Sequence, residues 1–178
     1  MIALISGGSK SGKSGYAQDL AVRLANGGPL YYIATMIPTD GEDRRRIALH
    51  IEDRAGMGFT TIECGREILS VLARADSCGT FLLDSTTALL SNEMFQGMEI
   101  DHDAGPRVAG QLCRLAESVG NLIVVSDRIY EDAQQYDAIT EDYRRSLAWI
   151  DRRLAAMADV VVELVGGMVY VHKGEEVL

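Results

Sequence analysis

Cysteine is scarce in this chain, which argues against a cysteine-based metal site and against a disulfide framework. The 178 residues include three cysteines, Cys64, Cys78 and Cys113, and none of them forms a CxxC or CxxH pair. Isolated cysteines in odd number are typical of small buried side chains in a reducing compartment. The sequence therefore predicts three free thiols and a cytoplasmic protein.

Long apolar runs and an excess of basic residues are also missing. No stretch approaches the roughly 20 apolar residues that span a bilayer, and no basic leader precedes the first glycines. The 17 Lys and Arg residues face 26 Asp and Glu residues, which gives a formal net charge of −9. Because an acidic surface repels nucleic-acid phosphates, we expect no nucleic-acid partner. Because the long apolar run and the basic leader are missing, we expect no integral membrane segment and no signal peptide.

Apolar, β-branched runs alternate with amphipathic stretches along most of the chain. With 47% hydrophobic and 24% charged residues, the composition suits a single globular domain over residues 1–178. This alternation predicts an α/β fold, a mainly parallel sheet with helices on both faces. Gly166-Gly167 joins the last two runs and predicts a terminal antiparallel hairpin, and Arg128–Thr140 is expected to be the least regular segment. The predicted strands are Ile2–Ser6, Leu30–Thr35, Phe59–Glu63, Thr80–Asp84, Leu122–Asp127, Val160–Val165 and Met168–His172, and the predicted helices are Ser14–Ala25, Asp40–Arg54, Glu67–Ala75, Pro106–Val119 and Glu141–Ala158.

The most informative motif is a glycine-rich loop between a predicted strand and a predicted helix. Its residues Gly7-Gly8-Ser9-Lys10-Ser11-Gly12-Lys13-Ser14 match the phosphate-binding pattern G-x-x-x-x-G-K-[ST]. Glycines let backbone N–H groups turn toward a triphosphate, and the helix amino terminus adds a partial positive charge. In this pattern Lys13 reaches the β- and γ-phosphates, and the Ser14 hydroxyl ligates Mg²⁺. The loop therefore predicts a site for a nucleoside triphosphate with Mg²⁺.

A second ligand for Mg²⁺ is expected at the end of a neighbouring buried strand. Asp84 closes the apolar run Phe81–Leu83 and is the favoured candidate, with Asp127 at the end of Ile123–Ser126 as its rival. Strand-end aspartates are also typical of helix caps, so this signal is weaker than the loop. The Asn-Lys-x-Asp motif that reads guanine in signalling GTPases is absent, which excludes a switch GTPase of that kind.

Three basic side chains share one stripe of a predicted helix. Thr39 and Glu42 form a capping-box pattern at its start, and Arg46, His50 and Arg54 then recur every four residues. Flanking cations destabilise an imidazolium, so we expect a neutral His50 that can attack the α-phosphorus of a nucleoside triphosphate. The arginines would hold the phosphate oxygens. Taken alone, the stripe is also typical of the solvated face of a charged helix.

The attachment of this helix suggests that it can move. Ile47 and Ile51 lie on an adjacent stripe and could anchor it to the body of the protein. Pro38 and Gly56-Met57-Gly58 flank the helix and are candidate hinges. We therefore predict that the helix moves when GTP binds.

Taken together, these motifs resemble the bifunctional adenosylcobinamide kinase / adenosylcobinamide-phosphate guanylyltransferase family almost from end to end. The phosphate loop is similar to the family's G-G-x-[RK]-S-G-K-S, and Arg46–Arg54 resembles its R-I-x-x-H-x-x-x-R. The chain departs from the family at Asp127-Arg128-Ile129-Tyr130, where members often carry Asn-Glu-Val-Gly. Further segments that resemble the family are Tyr32–Thr35, Thr61–Glu63, Leu82–Asp84 and Leu154–Asp159.

The resemblance implies a fold, an assembly and two reactions. The fold would be a P-loop NTPase with a RecA-like, mostly parallel sheet of about seven strands, and the assembly a homotrimer. One reaction would transfer the γ-phosphate of ATP or GTP to adenosylcobinamide. The other would pass GMP from GTP, through a covalent GMP–His50 intermediate, to adenosylcobinamide phosphate, which gives adenosylcobinamide-GDP.

The resemblance also implies which residues form the site. His50, Lys13 and Arg46 would be catalytic, and Mg²⁺ would lie at Ser14 and Asp84. The nucleotide would be bound by Gly7, Gly8, Ser9, Lys10, Ser11, Gly12, Lys13, Ser14, Thr35, Met36, Ile37, Ile51, Glu52, Asp53, Arg54, Glu63 and Asp84.

Two other functions fit parts of the sequence. A monofunctional P-loop kinase for another small alcohol would transfer the γ-phosphate but form no covalent GMP adduct. A non-catalytic nucleotide-binding subunit would bind GTP without turnover on any corrinoid. Neither function needs a histidine between two arginines, so the stripe of Arg46, His50 and Arg54 favours the bifunctional enzyme.

Overall fold

A computed structural model describes residues 1–97 and 99–177 of the chain. Its helices are α1 (Lys13–Ala25), α2 (Gly41–Asp53), α3 (Thr86–Met94), α4 (Ala104–Ser118) and α5 (Ala138–Met157), with 3-10 helices at Ile68–Ala73 and Glu175–Val177. Its strands are β1 (Ile2–Gly7), β2 (Leu30–Ala34), β3 (Thr60–Glu63), β4 (Thr80–Asp84), β5 (Phe95–Gln96), β6 (Glu99–Ile100), β7 (Asn121–Asp127), β8 (Val160–Val165) and β9 (Met168–Lys173). None of these helices is long and apolar enough to cross a membrane.

Seven of the strands form one sheet in the order β3-β2-β4-β7-β1-β8-β9, and β5 pairs with β6 apart from it. Neighbouring strands from β3 to β8 are parallel. Strand β9 runs antiparallel to β8, and the turn between them uses Gly166 and Gly167, both with positive φ. The predicted parallel sheet with an antiparallel terminal hairpin is confirmed.

Apolar side chains fill a core on each face of the sheet, because successive residues of a strand point to opposite faces. On one face Ile33, Leu83 and Val124 pack with residues of α3, α4 and α5. On the other face Leu82 and Ile123 pack with residues of α1. Strand β7 is buried on both faces, as its unbroken apolar run predicts. The two cores hold the strand ends of the sheet in fixed register.

Four features differ from the sequence-based expectation. The predicted helix Glu67–Ala75 is a 3-10 helix over Ile68–Ala73. The β5–β6 hairpin was not predicted. Helix α3 was not predicted either, because Thr86, Thr87, Ser91 and Asn92 are poor helix formers. Packing overrides that propensity, because Leu89, Leu90 and Met94 of α3 are fully buried. Helix α5 begins at Ala138, inside the segment expected to be irregular.

Candidate functional site

The carboxyl ends of the parallel strands meet at one edge of the sheet, and several predicted site residues lie there. Ala34, which ends β2, pairs with Glu63 of β3 and with Asp84 of β4. Gly7, which ends β1, pairs with Asp127 of β7. In open α/β sheets, ligands bind in the crevice outside these strand ends. This edge is therefore the candidate site.

The phosphate loop turns from β1 into α1 through backbone that requires glycine at two positions. A Cβ on Gly7 would lie 2.5 Å from the carbonyl oxygen of Leu164, and Gly12 has a φ of 93°. Lys13 is 8% exposed, and its Nζ donates to the Gly8 carbonyl at 3.0 Å. The Ser11 Oγ is buried and has no hydrogen-bond partner among the described residues. The loop thus presents an ammonium group and an unused hydroxyl donor.

A cavity of about 560 Å³ lies in front of the phosphate loop. We call it the phosphate cavity. It brings the loop together with residues from helix α2 and from the ends of β4 and β7. The predicted site residues that line it are Ser9, Lys10, Ser11, Gly12, Lys13, Ser14, Met36, Arg46, His50, Asp53 and Asp84.

A second cavity of about 270 Å³ adjoins the phosphate cavity. We call it the β2 cavity, because Tyr32 and Ala34 of β2 line it. Met36, His50, Asp84 and Ser85 line both cavities, so His50 lies at the boundary between them. The other predicted site residues on this cavity are Arg54 and Glu63, and its remaining lining includes Arg44 and the apolar side chain of Ile47.

Arg54 follows helix α2 and fixes that end of the helix to the sheet. Its guanidinium lies over the ring of Tyr32, 4.1 Å from the centroid. Its Nη1 donates to the His50 carbonyl at 2.6 Å, and its Nη2 donates to Thr61 Oγ1 at 3.1 Å. The Tyr32 hydroxyl donates to Asp84 Oδ2 at 3.1 Å, and burial together with the charge of Asp84 raises the pKa of Tyr32 well above its usual range. The Arg54 guanidinium is thus engaged by the sheet and by the helix backbone.

The amino terminus of helix α2 differs from the predicted capping box. The cap is Asp40, whose Oδ1 accepts from the N–H groups of Glu42 and Asp43 at 2.8 and 2.9 Å. Thr39 lies one residue earlier, and its hydroxyl donates to Asp43 at 2.7 Å. The assignment of Thr39 and Glu42 as a capping box was therefore wrong by one residue, because an aspartate caps as well as a threonine does. Glu42 instead pairs with Arg46 at 2.6 Å on an exposed face.

Helix α2 is only loosely packed against the body of the protein. Within the described range 41–53, none of its residues is fully buried. Ile47 is half-buried, but Ile51 is 52% exposed, so the expected anchor through Ile51 was wrong. His50 is half-buried, and its Nδ1 is buried without a hydrogen-bond partner in the part of the chain that the structure describes. The helix therefore carries an unpartnered imidazole nitrogen at the boundary of the two cavities.

Known proteins identify the family of this chain. A family model described as cobinamide kinase / cobinamide phosphate guanyltransferase matches residues 3–171. The chain belongs to this family. The predicted family is thus confirmed, and with it the prediction of an enzyme of the bifunctional kinase and guanylyltransferase class.

Two curated relatives are similar over nearly their whole length. The bifunctional adenosylcobalamin biosynthesis protein CobP of Pseudomonas aeruginosa is 30% identical over 174 residues, which cover 97% of each chain. The bifunctional adenosylcobalamin biosynthesis protein CobU of Salmonella typhimurium is 26% identical over 181 residues, which cover 94% of this chain and 97% of that protein.

Solved structures with low sequence identity share the fold. The structure of an ATPase domain has a TM-score of 0.54 at 13% identity, over 92% of this chain and 69% of that one. A KaiC-like protein, PH0186 from Pyrococcus horikoshii, has a TM-score of 0.55 at 16% identity, over 98% and 79% of the two chains. These likenesses concern the fold alone, and they confirm the predicted P-loop NTPase architecture with a RecA-like sheet.

Not every residue that the family resemblance implies lies on a cavity. Thr35 is fully buried, and its hydroxyl donates to the Ser85 carbonyl at 2.9 Å. Ile51 and Glu52 are exposed on helix α2. Asn92 was missed, although its amide donates to the carbonyls of Thr35 and Gly65 at 2.7 and 2.9 Å. No sequence signal pointed to Asn92, because helix α3 itself was not predicted.

The oxygen atoms on the phosphate cavity suit Mg²⁺. Ser14 supplies a hydroxyl and Asp84 a carboxylate, and both line this cavity. Among residues 1–97 and 99–177, no group of three or more His, Cys, Asp or Glu side chains could hold a metal ion. Mg²⁺ that arrives with a triphosphate needs one or two protein oxygens, since water and phosphate supply the rest. The donor set therefore fits an ion that binds together with a nucleotide.

Proposed function

We propose that this family member catalyses both reactions implied by the resemblance. It phosphorylates adenosylcobinamide with ATP or GTP, and it transfers GMP from GTP through a GMP–His50 intermediate to adenosylcobinamide phosphate. The observation that supports this proposal most is the place of His50, which lines the phosphate cavity and the β2 cavity at once. A nucleotide with its base in one cavity and its phosphates in the other would bring its α-phosphorus past this imidazole.

The β2 cavity is the proposed base site. Glu63 provides a carboxylate there, and guanine offers N–H donors at N1 and N2 that a carboxylate can accept. Adenine presents an acceptor at N1, so Glu63 would favour GTP for the guanylylation step. The half-buried Ile47 supplies an apolar surface for the ring. The other residues proposed at the nucleotide are Thr35, Met36, Ile37, Ile51, Glu52, Asp53 and Arg54.

Guanylylation needs a nucleophile, groups that bind the phosphates, and a leaving group. The lone pair of the His50 imidazole would attack the α-phosphorus, an N–P bond would form, and pyrophosphate would leave with the electrons of the broken P–O bond. Lys13 and the loop N–H groups would stabilise the charge on the leaving phosphates. Arg46 could join them, because its exposed pair with Glu42 costs little to break.

The acceptor then completes the transfer. A phosphate oxygen of adenosylcobinamide phosphate would attack the same phosphorus and release the imidazole, which regenerates the enzyme. The kinase step would use the same loop to hold ATP or GTP for attack on the γ-phosphorus. Mg²⁺ at Ser14 and Asp84 would offset the charge of the triphosphate in both reactions.

Movement of helix α2 belongs to the proposal. Ile51 and Glu52 are not among the residues that line the phosphate cavity or the β2 cavity, so they could reach the nucleotide only after the helix shifts. A helix without a fully buried residue costs little to displace. Pro38 and the positive-φ residues Gly56 and Gly58 flank it as hinges. We also propose the homotrimer and the cytoplasmic location that the sequence analysis predicts.

Labelled GTP tests the covalent step. Incubation with GTP labelled at the α-phosphorus should leave an acid-labile label on the wild-type protein and none on His50→Ala. The matched control is His102→Ala, whose side chain is 69% exposed and pairs with Asp142, and this variant should label like the wild type. Label on His50→Ala would rule out His50 as the nucleophile.

The same experiment separates the two alternatives. A monofunctional kinase would transfer γ-label to an alcohol, yet its wild-type form would take no α-label. A non-catalytic binding subunit would take no label and would not turn over any corrinoid.

A further inference from the structure

We propose that a third cavity beside the phosphate loop binds the acceptor of both reactions, first the alcohol arm of adenosylcobinamide and then the phosphate monoester made from it. This inference rests on the proposed function and deepens it, because it gives a place to the substrate that is not a nucleotide. Two independent considerations carry it: the direction from which each reaction must be entered, and a cavity in that direction with an exposed apolar rim.

Phosphoryl transfer fixes the approach of the alcohol. The attacking and leaving oxygens lie roughly in line, on opposite sides of the transferred phosphorus. Because the leaving oxygen bridges to the β-phosphate, the hydroxyl arrives from the γ-end of the triphosphate. The alcohol oxygen then forms its bond to the γ-phosphorus, the nucleoside diphosphate leaves with the electron pair of the broken P–O bond, and the hydroxyl proton passes to water.

Guanylyl transfer fixes the same approach for the phosphate monoester. When the His50 imidazole attacks the α-phosphorus, pyrophosphate leaves from the opposite side. The acceptor phosphate must later displace His50 from that same side, through the space that pyrophosphate has vacated. In the product this phosphate stands where the β-phosphate of GTP stood, and the organic part of the acceptor extends beyond it. Both reactions therefore need the acceptor at the γ-end of the phosphate cavity.

Lys13 marks the γ-end of the phosphate cavity. In this loop pattern the lysine reaches the β- and γ-phosphates, and its Nζ lies 2.6 Å from the Oδ1 of Asp127. The third cavity measures about 400 Å³, and Asp127 lines it together with the phosphate cavity. Among residues 1–97 and 99–177, His50 lines the β2 cavity but not the third, and Asp127 lines the third but not the β2 cavity. An acceptor in the third cavity thus meets the triphosphate near its γ-end and leaves the β2 cavity to the nucleobase.

The lining of the third cavity suits the end of an amphipathic molecule. Hydroxyl groups there can form hydrogen bonds with an alcohol or a phosphate, and apolar side chains can contact methyl and methylene groups. The hydroxyl groups include those of Thr39, Thr87 and Ser91, and the apolar surfaces include those of Ile37, Ala88 and Tyr143.

An exposed apolar surface continues outward from the third cavity. The cavity is far smaller than a corrinoid, so the macrocycle rests outside it while the arm enters. Ile37 lines the cavity and remains 40% exposed. The ring of Phe95, also 40% exposed, lies beside the ring of Tyr143 with the centroids 6.0 Å apart. Large exposed apolar side chains beside a cavity are typical of a ligand site, and here they suit the methyl-bearing edge of a corrin ring.

The charges at the third cavity also fit this acceptor. Adenosylcobinamide carries a single positive charge, because its corrin and alkyl anions balance only part of the charge of cobalt(III). Asp43 lines the cavity, and hydrogen bonds from the hydroxyl and N–H groups of Thr39 lower its pKa, so this carboxylate stays ionised. Arg46 lines both the third cavity and the phosphate cavity. A carboxylate for the cationic macrocycle and a guanidinium for the new phosphate therefore line one cavity.

A bulky substitution in the third cavity tests the assignment. Ser91 is half-buried on α3 and lines this cavity but neither the phosphate cavity nor the β2 cavity. In full-length Ser91→Leu, the Kd for adenosylcobinamide should rise by about tenfold or more, because the added side chain fills part of the cavity. Equilibrium dialysis with a non-hydrolysable GTP analogue measures it, and the KM for adenosylcobinamide in the kinase assay should rise alongside. Formation of the GMP adduct from α-labelled GTP needs no acceptor and should change by less than about threefold.

Two further variants complete the test. Phe95→Ala removes an exposed ring from the rim without filling the cavity, so it should weaken corrinoid binding by about three- to tenfold. The matched control Ser118→Leu makes the same exchange at the exposed carboxyl end of α4, ahead of β7. This control should leave corrinoid binding and adduct formation within about twofold of the wild type.

Each outcome bears on the acceptor site. If Ser91→Leu and Phe95→Ala bind adenosylcobinamide as the wild type does, the third cavity is not its site. If Ser91→Leu loses adduct formation as well, Phe95→Ala decides: weaker corrinoid binding with a normal adduct supports the proposal, and equal losses overturn it. Absence of the adduct from the wild type would instead contradict the proposed guanylyltransferase, and the dialysis would still show whether a corrinoid occupies this cavity.

Discussion

The phosphate loop and helix α2 face the same cavity, yet the protein holds them in opposite ways. The loop continues from the buried strand β1 into α1, where Ala17, Leu20 and Ala21 are almost fully buried. Within the range 41–53, helix α2 has no fully buried residue, and Arg54 ties its end to Tyr32 and Thr61. This contrast fits the proposed mechanism, in which one site serves two reactions. In that proposal the phosphate loop stays in place, and the position of helix α2 decides whether His50 meets the α-phosphorus.

Removal of the lysine from the phosphate loop should have the largest effect on activity. Lys13→Ala deletes the cation that reaches the β- and γ-phosphates, so phosphoryl transfer and guanylylation should each fall by about 10³-fold. Initial rates with γ-labelled ATP and with α-labelled GTP measure the two losses. Lys173→Ala is the control, because Lys173 is exposed on β9 and should leave both rates within about twofold. A loss of rate in only one of the two reactions would show that Lys13 does not hold the phosphates in both.

The well-packed interior of the fold also contains a buried acidic side chain. Asp151 in α5 is 5% exposed, and its Oδ2 accepts from the hydroxyls of Ser126 and Tyr130, both at 2.8 Å. Its Oδ1 is buried without a partner among residues 1–97 and 99–177. Burial raises the pKa of Asp151 to about 6. The folded protein is therefore less stable once this carboxyl loses its proton.

The sign of the resulting pH dependence follows from the raised pKa. Between about pH 4 and pH 6 the folded state binds more protons than the unfolded state, so the free energy of unfolding should fall by roughly 2–3 kcal/mol as pH rises through that window. Asp151→Asn should remove this slope, and urea unfolding at pH 4 and pH 7 measures it. The exposed control Asp19→Asn should keep the slope. An unchanged slope in Asp151→Asn would show that another group causes it.

Loosening the attachment of helix α2 further should have the smallest effect. Arg54→Ala removes the contact with the Tyr32 ring and two hydrogen bonds, so His50 should be held less well. Guanylylation should fall by about tenfold, whereas phosphoryl transfer should change by less than about threefold. Adduct formation and kinase rates measure the split, and Arg45→Ala, exposed on the same helix, is the control. Equal losses in both reactions would mean that Arg54 supports the phosphate grip itself.

Local sequence predicted one part of this site well. The strand–loop–helix from Ile2 to Ala25 could be located because its glycines, its lysine and its flanking apolar residues are contiguous. The amino-terminal cap of α2 was misplaced by one residue, since Thr39 and Asp40 are both good caps. The pairing of Glu42 with Arg46 follows a four-residue spacing that the sequence displays, although the arginine was assigned to phosphate.

Contacts between distant segments could not be predicted from the sequence. The pair of Lys13 with Asp127 joins the start of α1 to the end of β7, which only the order of the sheet brings together. The stacking of Arg54 on Tyr32 likewise depends on where helix α2 ends above β2. Helix α3 forms because Leu89 is buried against the sheet, a tertiary effect that overrides the weak propensity of its threonines.

A chase experiment tests the central claim most directly. The protein is first loaded with α-labelled GTP and freed of nucleotide, and adenosylcobinamide phosphate is then added with excess unlabelled GTP. We expect the label to leave His50 and to appear in adenosylcobinamide-GDP at least as fast as steady-state turnover. Label that stays on the protein while unlabelled product accumulates would contradict a GMP–His50 intermediate.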